Sequence, residues 1–186
     1  MSMYAEALIF YAVLFLSGSV NRGEGQAAFS PMTEIARILV YHLPAIALVW
    51  YSLLKRKRLR DWGVLPGAKD LLSLVILLPC LLITSFIIVF ASSFIVSNTP
   101  HTTLHSPSTV VGWIILSVSC LTTGYLEESF FRLYLLARRS EFRLTAPAAT
   151  VFSVVLFSIC HIYEGPWGFL NSVLSGTLFS FVFLRY

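Results

Sequence analysis

The sequence predicts an all-α protein, a polytopic transmembrane helix bundle with about six spans. Of its 186 residues, 57% are hydrophobic and only 12% are charged, and the mean hydropathy is +0.81. A soluble domain has about 45–50% apolar and about 25% charged residues. At about 20 residues per span, the chain has room for about six helices and for no second domain.

Six apolar stretches, separated by polar or turn-rich segments, are the predicted spans. They run over about residues 3–20, 36–54, 71–96, 109–137, 146–163 and 167–185. The first stretch has no basic residues before it, so it is predicted to be a span rather than a cleaved signal peptide. The fourth is longer than one perpendicular span, which predicts a long or bent helix.

Basic residues give the orientation. The cluster at residues 55–60 predicts a cytoplasmic loop, and the loop at 97–108, which has no Lys or Arg, is then outside. The next loop is predicted to be cytoplasmic again, because it carries Arg138, Arg139 and Arg143. The N-terminus is therefore predicted to be cytoplasmic. The net charge of +4 does not indicate nucleic-acid binding, because most of the basic residues lie in two short loops, where they set the topology.

Four ionisable residues interrupt the later apolar stretches: Glu127, Glu128, Arg132 and His161. An ionisable group at membrane depth costs roughly 3 kcal/mol or more, so such residues are rare and usually functional. Two carboxylates, a guanidinium and an imidazole predict a polar site inside the bundle.

Spacing predicts that two of these residues lie at the same depth. Glu127 lies 17 residues before residue 144, in the polar loop, and His161 lies 17 residues after it. In an antiparallel helical hairpin, each side chain is then about 25 Å from the turn. A carboxylate beside an imidazole in a low-dielectric cavity is suited to taking a proton from water.

Glu128 and Arg132 are spaced i,i+4 and are predicted to face each other as an ion pair that orients the helix. Glu127 points about 100° away and is free for another partner. His161 has an alternative reading, in which it only hydrogen-bonds a neighbouring helix. His42, His101 and His105 are expected to be structural or solvated. The small residues Ser172, Ser175 and Gly176 predict a close packing face on the last helix.

A metal site needs three or more converging ligands. The candidates here are Glu127, His161 and, less directly, Glu128. A divalent metal such as zinc is therefore left open by the residues themselves.

The motifs resemble those of the CPBP intramembrane proteases, which include the CAAX prenyl endopeptidase and bacterial relatives often called Abi proteins. Glu127, Glu128 and Arg132 match Glu-Glu-x-x-x-Arg, and Phe157 with His161 matches Phe-x-x-x-His. Together the motifs divide the chain into N-terminal transmembrane helices (1–108) and a protease-like core (109–186).

The resemblance implies a hydrolase that cleaves a peptide or protein substrate reached from the membrane. Glu127 is then the general base, His161 its partner, and Glu128 with Arg132 a supporting pair. Members are often called metalloendopeptidases, which implies a divalent metal such as zinc. The bacterial relatives imply a multi-pass protein of the bacterial inner (cytoplasmic) membrane.

The family has a third motif, His-x-x-x-Asn, whose residues are thought to stabilise the oxyanion. No histidine follows His161 in this sequence, which ends at Tyr186. Losing one oxyanion donor costs roughly 100- to 1000-fold in rate. We therefore expect residues 1–186 alone to be inactive or nearly so. The third motif is missing either because the natural chain continues or because the gene is degenerate.

Two other functions remain open. One is a non-catalytic immunity or scaffold protein with the same fold, which the absent third motif favours and which predicts that Glu127→Gln leaves function intact. The other is a small proton-coupled transporter, since intramembrane Glu, Arg and His also line ion paths. No inverted repeat or pair of broken helices supports the transporter.

Overall fold

The computed structural model describes residues 5–12, 29–55, 68–95 and 106–185, and in these ranges the regular structure is entirely helical. The predicted all-α, polytopic bundle is confirmed. The helices are α1 (5–12), α2 (Pro31–Leu54), α3 (Ala68–Ile95), α4 (Val110–Leu136), α5 (Ala146–Cys160) and α6 (Gly165–Arg185).

Four helical segments in the described ranges are long and apolar enough to cross a membrane: α2, residues 72–94 of α3, α4, and Ile162–Arg185, which contains α6. Helix α5, with 15 residues, is shorter. The remainder of the predicted first span (13–20), the basic residues at 56–60, and the loop at 97–105 with its two histidines lie outside the described residues.

Three helices begin at hydroxyl N-caps. The side chains of Ser30, Thr109 and Thr145 each accept a hydrogen bond from the backbone N–H three residues later. Such caps satisfy one of the backbone donors that a helix start leaves unpaired. Pro147 occupies the first turn of α5, as the sequence predicts, where its missing N–H costs nothing.

Helix α4 changes its winding beside the charged residues Glu127, Glu128 and Arg132. It is α-helical from Val110 to Glu128 and continues as wider π-helical turns from Ser129 to Leu136. This confirms the predicted long helix. Short π-helical segments inside α-helices often occur at functional sites.

Helix α5 ends earlier than the apolar stretch suggests. The sequence predicts a helix to residue 163, but the last helical residue is Cys160, and His161 has φ −106° and ψ 8°. A 3₁₀ turn, Ile162–Glu164, follows, and Gly165 has φ +78°, which favours glycine. His161 therefore sits at the junction of two helices rather than inside one.

The buried core joins α2, α4, α5 and the loop between α4 and α5. Its members are apolar or aromatic and are shielded from the surroundings on all sides. They are Val49, Leu53, Phe130, Phe131, Tyr134, Leu135, Phe142 and Phe157. By contrast, among the described side chains of α3 only Ile88 is buried, so this helix presents an apolar surface suited to lipid.

Helix α6 packs on α5 through a face of small residues. Ser172, Gly176 and Ser180 are buried there, while Ser175 is half-buried. The predicted close packing at Ser172 and Gly176 is observed. On another side, Ser85 of α3 donates a hydrogen bond to the amide oxygen of Asn171, 3.1 Å away.

Candidate active site

Glu127 and His161 meet between α4 and the end of α5. The Oε1 atom of Glu127 lies 4.0 Å from Nε2 of His161, and the side chains are 27% and 18% exposed, respectively. The predicted match in depth is therefore observed. A separation of 4.0 Å is too long for a direct hydrogen bond, but it suits two groups that share one water molecule.

The imidazole of His161 is oriented by its own helix. Its Nδ1 atom lies 2.9 Å from the backbone carbonyl oxygen of Phe157, one turn earlier. Because a carbonyl oxygen only accepts hydrogen bonds, Nδ1 carries the proton in this contact. In the neutral ring the lone pair is then on Nε2, the atom that faces Glu127.

Glu128 and Arg132 form the predicted i,i+4 ion pair. Oε1 of Glu128 lies 3.3 Å from Nη1 of Arg132, whose side chain is 2% exposed while that of Glu128 is 40% exposed. A buried guanidinium without a counter-ion is costly. The pair therefore keeps Arg132 charged in the bundle interior, and Glu128 lies at its accessible edge.

Aromatic rings enclose the Arg132 guanidinium. Its Cζ atom lies 5.1 Å from the ring centroid of Phe157 and 5.2 Å from that of Phe179. Both distances fall within the range of cation–π attraction. In addition, Nη2 donates a hydrogen bond to the backbone carbonyl oxygen of Gly176, 3.3 Å away. Arg132 thus connects α4 to both α5 and α6 directly beside the Glu127–His161 pair.

The charges around Glu127 are mixed. It interacts electrostatically with His161, with Arg132 and with a third carboxylate, Glu164. Glu164 is exposed and follows His161 in the 3₁₀ turn, where its backbone N–H donates to the His161 carbonyl oxygen at 3.0 Å. The site therefore combines a nearby cation, Arg132, with an acidic rim.

Sequence reasoning missed three residues of this environment: Ser153, Glu164 and Phe179. The hydroxyl of Ser153 donates a 3.0 Å hydrogen bond to the carbonyl oxygen of Phe131 and so ties α5 to α4. Glu164 was visible in the sequence as an acid three residues after His161. The other two carry no signal of their own, because their roles depend on contacts between helices.

The donor set does not meet the requirement of a metal site. Among the residues that the structure describes, no three His, Cys, Asp or Glu side chains are grouped so as to hold an ion. Glu127 and His161 supply two donors, and Glu128 is engaged by Arg132. Because three protein ligands are the usual minimum for zinc, a divalent metal stays a prediction here, and we derive no step through one.

His42 belongs to a separate polar cluster. It is 3% exposed, and its ring nitrogens lie 2.9 Å from Oγ1 of Thr122 and 3.3 Å from Oγ1 of Thr123. Nearby, the Ser119 hydroxyl donates to the Glu34 carboxylate at 2.5 Å. These contacts join α2 to α4 and agree with the predicted structural role of His42.

Arg138 is also a structural residue rather than a solvated loop charge. Its side chain is fully buried, its guanidinium lies 4.3 Å from the ring centroid of Tyr134, and Nη2 lies 3.0 Å from Oε2 of Glu141. Arg138 thus fixes the start of the loop that connects α4 to α5.

Comparison with known proteins is informative for the C-terminal part of the chain, which carries this site. Residues 107–186 match the family model described as type II CAAX prenyl endopeptidase Rce1-like. No curated protein and no solved structure significantly matches the chain. The match agrees with the motifs built on Glu127 and His161. Residues 107–186 are therefore similar to the Rce1-like type II CAAX prenyl endopeptidases.

Proposed function

We propose that the protein is a membrane-embedded endopeptidase in which Glu127 and His161 together activate a water molecule. The observation that carries the proposal is the 4.0 Å separation between Oε1 of Glu127 and Nε2 of His161. Two hydrogen bonds of about 2.8 Å from one water span this gap at an angle of roughly 90° at its oxygen, near the natural angle of water. Both facing atoms are acceptors, so one water donates to both.

The reaction follows from this arrangement. The Glu127 carboxylate takes a proton from the bridging water as its oxygen attacks the scissile carbonyl carbon, and a tetrahedral intermediate forms. The C–N bond then breaks, and the proton passes from the carboxyl group to the leaving amine. His161 accepts the second O–H of the water at Nε2 and so orients the water oxygen for attack. Removing such a general base lowers the rate by about 10²- to 10⁴-fold.

Glu128 and Arg132 act in support. Their ion pair and the aromatic rings around Arg132 fix α4 against α5 and α6, which sets the distance between Glu127 and His161. We place the catalytic core in residues 109–186 and the lipid-facing scaffold in the preceding helices.

We propose a peptide substrate that enters from the membrane, with a prenylated C-terminal CAAX segment as the first candidate, because the matching family model describes CAAX prenyl endopeptidases. We further propose a bacterial inner-membrane location with a cytoplasmic N-terminus. In that orientation, the loop from Arg138 to Arg143 faces the cytoplasm, in accord with its charge.

The test is cleavage in proteoliposomes by the protein as its gene encodes it. A quenched fluorescent peptide with a prenylated CAAX end is the substrate, and Glu127→Gln keeps the side-chain shape while removing the base. We expect a rate loss of at least about 100-fold with an unchanged melting temperature. Asp70→Asn, at the start of α3, controls for loss of a carboxylate elsewhere. Equal cleavage by Glu127→Gln and the unmodified protein would refute the proposal.

A further inference from the structure

We propose that Gly176, on the α6 face that meets α5, is a positioning residue for His161 and acts through the ring of Phe157. This inference rests on the proposed function, because it concerns the geometry of the water-activating pair. Gly176 lies in neither motif and in a different helix from both catalytic candidates.

The first observation is steric. A Cβ atom built on Gly176 would lie 3.0 Å from Cδ1 of Phe157, with Cε1 and Cγ at 3.7 and 3.8 Å. A contact of 3.0 Å is tighter than nine in ten real Cβ contacts, so the ring would have to shift by a few tenths of an ångström. Close-packed interiors pass such shifts to the neighbouring groups rather than absorbing them.

The second observation is that Phe157 holds His161 in two ways. Its carbonyl oxygen accepts the hydrogen bond from Nδ1 at 2.9 Å, and its ring centroid lies 4.6 Å from the imidazole centroid. A displaced Phe157 therefore changes both the hydrogen bond that fixes the tautomer and the surface against which the imidazole packs.

The third observation is that the ring has little freedom to yield. Phe157 is 6% exposed, meets the ring of Phe131 edge to face at 5.3 Å, and lies against the Arg132 guanidinium at 5.1 Å. The carbonyl oxygen of Gly176 itself accepts from Arg132. A side chain at position 176 therefore pushes on a ring whose other faces are occupied.

The direct test is Gly176→Ala, which adds one methyl group. Alanine favours helix more than glycine does, so helix propensity alone would not harm α6. We expect kcat to fall by about 10- to 100-fold with little change in KM, the scale expected for a small misplacement of a catalytic group. The matched control is Gly124→Ala in α4, where an added Cβ meets nothing within 4 Å.

A spectroscopic readout does not depend on turnover. The chain has four histidines, so selective ¹⁵N labelling gives a simple imidazole spectrum, in which His161→Gln identifies the His161 signals. We expect Gly176→Ala to shift the Nδ1 and Nε2 signals of His161, and Gly124→Ala to leave them in place. A role limited to helix packing would not move these two signals selectively.

Phe157→Leu completes the test by removing the ring that meets position 176. In that background, Gly176→Ala is expected to cause no further loss of kcat and to fold even where the single variant does not. If the two losses multiply, or if Phe157→Leu fails to restore folding to an unfolded Gly176→Ala, the inference is wrong.

The two proposals fail separately. Absence of Glu127-dependent cleavage in the unmodified protein removes the proposed function, while the His161 signals still decide the positioning role. Unchanged His161 signals in a folded Gly176→Ala variant overturn the positioning role, even if Glu127-dependent cleavage is observed.

Discussion

The backbone carbonyl oxygen of Phe157 lies 2.9 Å from Nδ1 of His161, and the two rings are 4.6 Å apart. One residue thus sets the tautomer of the imidazole and supports its face. The same phenyl ring packs against the Arg132 guanidinium. Phe157 therefore contacts one member of the supporting ion pair, Arg132, and one member of the proposed catalytic pair, His161.

Replacing Arg132 by lysine should destabilise the bundle while keeping its positive charge. An ammonium group lacks the planar face that lies against Phe157 and Phe179. We expect the free energy of unfolding to fall by about 2 kcal/mol, the upper range for a desolvated cation–π contact. Unfolding in a denaturing detergent measures it. Arg139→Lys, at a half-buried loop position, is the control, and equal stability of the two variants would contradict the account.

Ser153→Ala should loosen the contact between α5 and α4. The buried hydroxyl donates to the Phe131 carbonyl oxygen across the two helices, so its loss should cost about 1 kcal/mol. Ser158→Ala is a matched control, because that equally buried hydroxyl bonds within α5, to Val154. Thermal unfolding should show the larger decrease for Ser153→Ala. A larger decrease for Ser158→Ala would show that the interhelical bond is not the important one.

The proposed orientation predicts which exposed loop positions a membrane-impermeant maleimide reaches. With Cys80, Cys120 and Cys160 replaced by alanine, a cysteine at Ser140 should be labelled only from the cytoplasmic side. A cysteine at Ser108 should be labelled only from outside, because the loop that it ends carries no Lys or Arg. The experiment compares intact cells with inverted vesicles. The reverse labelling pattern would invert the whole topology.

The sequence was sufficient for the fold class and for the pairing across the hairpin. Hydropathy identifies apolar helices because lipid selects for composition. The equal distances of Glu127 and His161 from the loop predict their common depth because helix rise is nearly constant. The Glu128–Arg132 pair likewise follows from i,i+4 spacing within one helix.

The sequence did not predict the π-helical turns of α4, the end of α5 or the contacts that α6 makes when it docks. Hydropathy does not distinguish the π-helical turns at Ser129–Leu136 from an α-helix. Hydropathy also predicts that α5 continues through Ile162 and Tyr163. In the structure, α5 ends at Cys160, and a 3₁₀ turn leads to the start of α6 at Gly165. The packing of Phe179 on Arg132 arises only when α6 docks, so no local pattern reports it.

The most direct test of the central claim is a double-mutant cycle on the cleavage rate with Glu127→Gln and His161→Gln. If both residues act on one water molecule, the double variant should be no slower than the slower single variant, because groups that act as a unit are strongly non-additive. Stability measured on all four proteins confirms that folding is unaffected. Losses that multiply in the double variant would show that the two residues act independently, and would contradict the shared-water account.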